Sequence, residues 1–178
     1  MGTTLGALAA VGASGRGSPH AEVALPAAAF FDDAEMIDAV AEASAAVTHN
    51  HPEGIKGAKA VAEAIYLATK EKKEIKDIIM TKYGYDLDRT TDEIRPGYRF
   101  NETCQGSVPE AITCFLEGNS FEEVVRLAVS LGSDADTQAC IAGSIAAVRY
   151  GVPEEIKREV IKRLPGDILS VYNKFCDI

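Results

Sequence analysis

The sequence predicts an all-α domain. From Asp32 onward, apolar residues recur at the three- and four-residue spacing that places them on one face of a helix, and no stretch alternates convincingly between apolar and polar residues as a half-buried strand does. Alanine is abundant, tryptophan is absent and aromatic residues make up only 7% of the chain, which favours closely packed helices over a sheet. At 178 residues, the chain is most simply one domain with a sizeable core.

Capping residues, prolines and glycines mark the predicted helix boundaries in order along the chain. Asp32 or Asp33 is expected to cap the first helix, and the run Ser-Phe-Glu-Glu at residues 120–123 is a capping box that opens a later one. The other boundaries are prolines at or near helix starts and glycines just past helix ends: Pro52, Pro153 and Pro165 at starts, and Gly84, Gly118 and Gly151 at ends.

Two segments fall outside this helical pattern. Residues 1–30 are rich in Gly and Ala and contain only two charged residues, so we separate them from residues 31–178 as an N-terminal segment, either a tail or a weakly specified packing segment. Residues 84–106 show no clear period and are long for a structureless connection; such loops are usually functional or disordered. Aromatic side chains in or beside this loop favour packing over a site: Tyr83, Tyr85, Tyr98 and Phe100.

Composition and charge exclude several classes of function. The net charge of −9 argues against a nucleic-acid backbone as the partner. No apolar run approaches the roughly 20 residues of a membrane span, and the N-terminus lacks the basic region of a signal peptide. The four cysteines show no CxxC spacing, so we expect free thiols in a reducing cytoplasm rather than a disulfide framework or a zinc site.

The first candidate site lies in the stretch LGSDADTQACIAGSIAAVRYG, where a Gly-Ser turn becomes a helix. Asp134, Asp136 and Thr137 fall within four residues at this point, and no basic residue occurs between Arg126 and Arg149 to pair with the two acids. One interpretation is capping, in which a carboxylate accepts backbone N–H groups and complements the helix dipole. The other is a site for a hard divalent cation, because one aspartate is enough for a cap and oxygen ligands suit Mg²⁺, Mn²⁺ or Ca²⁺.

The second candidate site lies in the stretch VTHNHPEGIKGA, between the first two predicted helices. His49 and His51 stand on either side of one residue and could form a metal pair, yet Pro52 follows at once and is well placed to start a helix. The stretch is either an interhelical turn with surface histidines or a seat for an anion at the helix N-terminus. In the second case, Gly54 and Gly57 are expected to let a ligand approach the backbone closely.

Taken together, four stretches resemble motifs of the ADP-ribosylglycohydrolase family. VTHNHPEGIKGAKAVAEAI, GYDLDRTTDEIRP, CQGSVPEAI and GSDADTQACIAGSIAAVRYG occur in the family's order and spacing, from about Phe31 to the C-terminus. The resemblance implies an all-α orthogonal multi-helix bundle with a pair of Mg²⁺ ions, or Mn²⁺, in a cleft. It implies hydrolysis of the glycosidic bond between ADP-ribose and its acceptor, with ADP-ribose or an ADP-ribosylated molecule as the ligand.

Matched position by position, the resemblance makes Asp134, Asp136 and Thr137 metal ligands and places His49 against the phosphate or ribose of ADP-ribose. Family members also carry a catalytic glutamate and a Thr-Asp-Asp metal set in their N-terminal part, and this sequence shows neither, so the catalytic residue stays unknown. We therefore expect the C-terminal part of the fold, truncated at the N-terminus. It would act with a second copy or a complementing chain, or serve instead as a non-catalytic module that binds ADP-ribose, a divalent cation or a protein partner.

Overall fold

The computed structural model describes residues 31–48 and 50–176, and this part of the chain contains helices and connecting loops but no β-strand. Nine helices lie in it: α1 Ala34–Thr48, α2 Pro52–Tyr66, α3 Lys72–Tyr83, α4 Thr91–Ile94, α5 Cys104–Glu117, α6 Phe121–Ser130, α7 Ala135–Tyr150, α8 Glu154–Ile161 and α9 Gly166–Cys176. The prediction of an all-α fold is confirmed. The proposed N-terminal segment, residues 1–30, lies outside the described residues.

The predicted helix starts are formed by the expected side chains. Asp33 caps α1, since its Oδ1 accepts the backbone N–H of Met36 at 2.8 Å. Pro52 is the first residue of α2. At α6, Ser120 Oγ accepts the N–H of Glu123 at 3.1 Å, while the Glu123 carboxylate reaches back one residue beyond the cap, to the N–H of Asn119 at 2.8 Å.

The long connection between α3 and α5 contains structure that the sequence pattern does not reveal. Thr90 and Glu93 form a reciprocal capping box around α4, a helix too short to show a period. Helix α5 starts at Cys104, four residues before the first clearly periodic position, because the Thr103 hydroxyl caps it. Tyr85 in this connection is buried in the core, so part of the loop packs as interior.

The main core lies around α5 and α7. Helix α5 is buried over most of its length, and α7 is buried at Gln138 and over residues 141–147. Their largest fully buried side chains are Val108, Ile112, Phe115, Ile141 and Ile145. Helices α2 and α6 pack on this pair, with Val61 and Val124 fully buried. In the described residues, none of the helices has both the length and the hydropathy that crossing a bilayer requires.

Helix α1 is attached to α2 through a separate, smaller apolar cluster. Ile37, Ala41 and Ala45 on α1 pack against Ala58 and Ala62 on α2. Ion pairs surround this contact, and Lys59 Nζ lies 2.7 Å from Asp38 and 3.0 Å from Glu42. The cluster fixes the direction in which α1 enters the turn before α2, which is the turn that holds the second candidate site.

Candidate functional site

Helix α7 begins directly after a tight turn that depends on Gly132. This glycine has a φ of 76°, a left-handed conformation that side chains other than glycine rarely adopt. The carbonyl of Asp134 accepts the N–H of Gln138 at 3.0 Å, which is the first hydrogen bond of α7. We call residues 133–137 the acidic turn.

The acidic turn brings the three predicted metal ligands into contact. The Asp134 carboxyl, which is half-buried, lies beside the exposed Asp136 carboxyl and the Thr137 hydroxyl. Burial raises the pKa of Asp134, and the neighbouring Asp136 raises it further, whereas the hydrogen bond from Asp134 holds the pKa of Asp136 below its ordinary value. Two neighbouring carboxylates repel each other, and a shared proton or a bound cation would relieve that repulsion.

Capping of α7 accounts for only one of the two acids. Asp134 occupies the N-cap position, yet its side chain makes no cap hydrogen bond. The backbone N–H groups of Asp136 and Thr137 instead bind the Asp136 carboxylate and contribute, after Asp134, to its lowered pKa. In the cap interpretation, the Asp134 carboxyl therefore contributes only its charge near the positive end of the helix dipole and no hydrogen bond.

The charge around the acidic turn is negative. Glu102 adds to the electrostatic cost of ionising Asp134. The two arginines that flank this part of the sequence are engaged elsewhere: Arg126 pairs with Glu122 at 2.7 Å, and Arg149 donates to the carbonyls of Ala68 and Lys70. Over residues 31–48 and 50–176, no ion pair includes either aspartate of the turn.

A short stretch of the α3–α5 connection lies directly against the acidic turn. The N–H of Asn101 donates to Ser133 Oγ at 2.9 Å, and the Ser133 hydroxyl donates to the carbonyl of Arg99 at 3.2 Å. The Tyr98 hydroxyl bonds to Gln138 in the first turn of α7. Burial raises the pKa of Tyr98 to about 12, so its hydroxyl keeps its proton at neutral pH. Of the four aromatic residues predicted to pack over a site, only Tyr98 contacts the acidic turn region, because Tyr83 and Tyr85 lie in the core and Phe100 is 68% exposed.

The side chains of the acidic turn supply the type of ligand atom that a hard cation prefers, but too few of them to fill its coordination sphere. Two carboxylates and a hydroxyl are oxygen ligands of the type that Mg²⁺ prefers, and Mg²⁺ takes six of them. Within the part of the chain that the structure describes, no group of three or more His, Cys, Asp or Glu side chains is placed to hold a metal. The metal-ligand role of Asp134, Asp136 and Thr137 stays a prediction.

The second candidate site lies at the N-terminus of α2. His51 is the N-cap residue, and its Nδ1 accepts the N–H of Glu53 at 3.2 Å. His51, one of the two histidines of the proposed metal pair, therefore caps α2. The sequence did not indicate this role because histidine is an uncommon N-cap residue. His49, the predicted contact to ADP-ribose, lies outside the described residues.

Gly57 is approached by helix α5, in place of the ligand that the sequence led us to expect. A Cβ at Gly57 would lie 2.8 Å from Cys104 Cβ and 2.9 Å from its Sγ, so helix α5 itself occupies the space beside this glycine. The glycine lets the first turns of α2 and α5 touch. The close approach joins the two motifs that begin at residues 47 and 104, and the sequence alone could not reveal which partner the glycine admits.

Glu110 is a buried acid that sequence reasoning did not single out. It lies on α5 with only 5% of its surface exposed, and Arg89 Nη2 binds its Oε1 at 2.9 Å. The second oxygen, Oε2, has no hydrogen-bond partner among the described residues. Burial raises the pKa of Glu110, and the hydrogen bond from Arg89 opposes that rise. The pair ties the α3–α5 connection to α5 close to Tyr98.

Glu110→Gln is expected to change how stability depends on pH. Because the pKa of Glu110 is higher in the folded protein than the value of about 4.3 in an unfolded chain, the folded state binds the proton more tightly. The contribution of Glu110 to the free energy of unfolding is then greatest below about pH 4 and declines as the pH rises through the raised pKa. Glutamine does not titrate, so the stability of wild type minus variant should fall as the pH rises from about 4 through the raised pKa of Glu110.

Urea denaturation at stepped pH values measures this difference. Glu155→Gln, an exposed acid in the first turn of α8, serves as the control for the loss of one charge. A difference for Glu110→Gln that stays flat or increases with pH would show that the Arg89 pair outweighs burial.

Comparison with known proteins identifies the relatives of the chain. A family model described as ADP-ribosylglycohydrolase matches residues 2–176, a range that includes the proposed N-terminal segment. An uncharacterized protein of Archaeoglobus fulgidus is 28% identical over 137 residues, and the match covers 67% of this chain and 45% of that protein. The chain thus spans less than half of the length of this relative. The family match covers almost the whole chain. The regular secondary structure of the described residues is entirely α-helical. The protein belongs to the ADP-ribosylglycohydrolase family.

Proposed function

We propose that the protein binds ADP-ribosylated molecules and, with Mg²⁺, hydrolyses the glycosidic bond between ADP-ribose and its acceptor. The observation that carries the proposal is the acidic turn. Two carboxyl groups and a hydroxyl lie together at the start of α7, the carboxyl of Asp134 makes no cap hydrogen bond, and neither acid is in an ion pair in the described range. A hard cation would resolve the contact between the two acids.

In this proposal Asp134, Asp136 and Thr137 hold the metal, as the family resemblance implies for two Mg²⁺ ions, with Mn²⁺ as an alternative. A bound metal would supply a Lewis acid that orients the ribose hydroxyls and activates water. The protein contributes a fixed start of α7, which Gly132 and the contacts from residues 98–101 hold in place. Water, the substrate, or groups from a second copy or a complementing chain fill the remaining metal positions.

The substrate side of the proposal is the turn between α1 and α2. By resemblance, His49 contacts the phosphate or ribose of ADP-ribose. The N-terminus of α2 favours a negative group because the helix dipole is positive at this end, although Pro52 has no N–H and the N–H of Glu53 is already bound by His51. Helix α2 touches α5 at Gly57, and α5 packs against α7, so one connected set of helices carries both candidate sites.

A module that binds ADP-ribose without cleaving it is the second candidate function. Two features favour this function. The acidic turn offers only three oxygen-bearing side chains as metal ligands. It also offers no acid or base with an identified role at the reacting carbon. Both candidates predict binding of Mg²⁺ and ADP-ribose, and they differ only in turnover.

Two assays on the full chain separate these candidates. Incubation with an ADP-ribosylated protein should release ADP-ribose in Mg²⁺, and chelation with EDTA should stop the release. Titration calorimetry with ADP-ribose, with and without Mg²⁺, measures binding independently of turnover. Mg²⁺-dependent binding without release would favour the binding module, and an absence of binding for both ligands would contradict both candidates.

A further inference from the structure

We infer that the Tyr98 hydroxyl is a positioning group for the acidic turn, which it holds in place by joining the first turn of α7 to the first turn of α5. The inference rests on the proposed function in one respect, namely that the acidic turn binds Mg²⁺. The claim that Tyr98 holds the turn depends only on the contacts described below.

The Tyr98 hydroxyl makes two hydrogen bonds to different helices. It donates to the carbonyl of Gly106, in the first turn of α5, and it accepts from Nε2 of Gln138, in the first turn of α7. Since α5 is held in the main core by Val108 and Ile112, its first turn is a firm anchor. Through its hydrogen bond with Gln138, Tyr98 links the first turn of α7 to this fixed part of α5.

Gln138 depends on this contact. Its side chain is fully buried, and its Oε1 has no hydrogen-bond partner among the residues that the structure describes. The hydrogen bond from Nε2 to Tyr98 is thus the polar contact that the structure gives this amide. A buried amide donor that loses its partner is costly, so removal of the hydroxyl should let Gln138 and the backbone before it shift toward water.

A shift of Gln138 is expected to move the acidic turn as well. The N–H of Gln138 donates to the carbonyl of Asp134, so the backbone of the turn and the position of Gln138 are coupled. Asn101 and Arg99 hold Ser133 on the other side of the turn, which keeps residues 98–101 in place when the hydroxyl is removed. Loss of the hydroxyl is therefore expected to act on the spacing of Asp134 and Asp136 rather than on the loop. Groups that orient metal ligands from outside typically contribute about 10–100-fold to metal affinity.

Tyr150 provides a matched control at the opposite end of the same two helices. Its hydroxyl donates to the carbonyl of Gly118, the residue that ends α5, at 2.9 Å. Like Tyr98, it is half-buried and joins α7 to α5 through a glycine carbonyl, but it lies at the last residue of α7, remote in sequence from the acidic turn. Tyr98→Phe and Tyr150→Phe remove the same atom and one hydrogen bond to a glycine carbonyl, and only Tyr98→Phe also removes the bond to Gln138.

Hydrogen exchange of the metal-free protein, followed by mass spectrometry, is the first measurement. Tyr98→Phe should speed exchange in a peptide that covers residues 131–141 by about tenfold, and Tyr150→Phe should leave it within about twofold of wild type. The second measurement is Mg²⁺ affinity by calorimetry, which Tyr98→Phe should weaken by about tenfold while Tyr150→Phe leaves it unchanged.

Equal effects of the two variants on exchange, or on Mg²⁺ affinity, would overturn the inference while leaving the proposed metal site intact. If wild type itself fails to bind Mg²⁺, the proposed function is contradicted, and the exchange data still decide whether Tyr98 holds the turn. A general loss of structure in Tyr98→Phe would appear as faster exchange in the α5 and α6 peptides as well, and that result would also count against a local positioning role.

Discussion

Replacing Asp134 and Asp136 together by asparagine is expected to abolish the stabilisation of the protein by Mg²⁺ while leaving its metal-free stability nearly unchanged. The two carboxyls contact each other, and burial already disfavours the charge on Asp134. Removing both charges relieves the repulsion at Asp134 but also removes the charge of Asp136, whose lowered pKa shows that it stabilises the folded protein, so the two effects oppose each other. Asparagine is also a good N-cap residue, so the start of α7 is preserved.

The expected size of the effect distinguishes the metal interpretation from capping. At a Mg²⁺ concentration of 100 times Kd, binding should stabilise wild type by about 2.7 kcal/mol, and the double variant should gain nothing. If the two acids served only as caps, Mg²⁺ would stabilise neither protein, and replacement by alanine would cost about 1 kcal/mol for each cap removed. Thermal or urea denaturation with and without Mg²⁺ measures both quantities.

The matched control is Glu154→Gln with Glu155→Gln. These acids occupy the first turn of α8, so the control makes the same change in net charge at another helix N-terminus. Its response to Mg²⁺ should equal that of wild type. A double asparagine variant that responds to Mg²⁺ as wild type does would show that the ion binds elsewhere.

Gly57→Ala is expected to lower the free energy of unfolding by about 2 kcal/mol, although alanine favours helices by about 1 kcal/mol. The added Cβ would lie 2.8 Å from Cys104 Cβ and 2.9 Å from its Sγ, distances that force α2 and α5 apart. Both helices are part of the main core, so neither moves without loosening its other contacts. Overpacking of this kind typically costs about 1–3 kcal/mol.

Two further variants test the cause of this loss. Gly166→Ala places a Cβ in open space within the first turn of α9, and it should be neutral or stabilising by a few tenths of a kcal/mol. Adding Cys104→Ala to Gly57→Ala removes the Sγ contact but keeps the Cβ contact, so it should recover only part of the loss. A Gly57→Ala variant as stable as wild type in urea denaturation would refute the close approach of the two helices.

The sequence was sufficient for the fold class because the helix signals were local. Asp33, Pro52 and Ser120 each act within one turn of the residue that carries the signal, and the structure places all three at helix starts. Helix α4 and the start of α5 escaped prediction since their caps, Thr90 and Thr103, precede too few apolar residues to create a period.

The candidate site was predictable to the extent that its residues are neighbours in sequence. Asp134, Asp136 and Thr137 contact one another within a single turn, and their spacing indicated this. Tyr98 and Gln138 are 40 residues apart, and Arg89 and Glu110 are 21 apart, so only the packing of the α3–α5 connection onto α5 and α7 brings them together. Gly57 shows the same limit, because the sequence indicated a close approach but not that Cys104 makes it.

The claim on which this account depends is that the acidic turn takes up a divalent ion, and paramagnetic broadening by Mn²⁺ tests it most directly. Sub-stoichiometric Mn²⁺ added to isotope-labelled protein should first erase the amide NMR signals of residues 133–138, and excess Mg²⁺ should restore them. Signals of those residues that persist while others broaden, such as those around Glu154 and Glu155, would contradict the account.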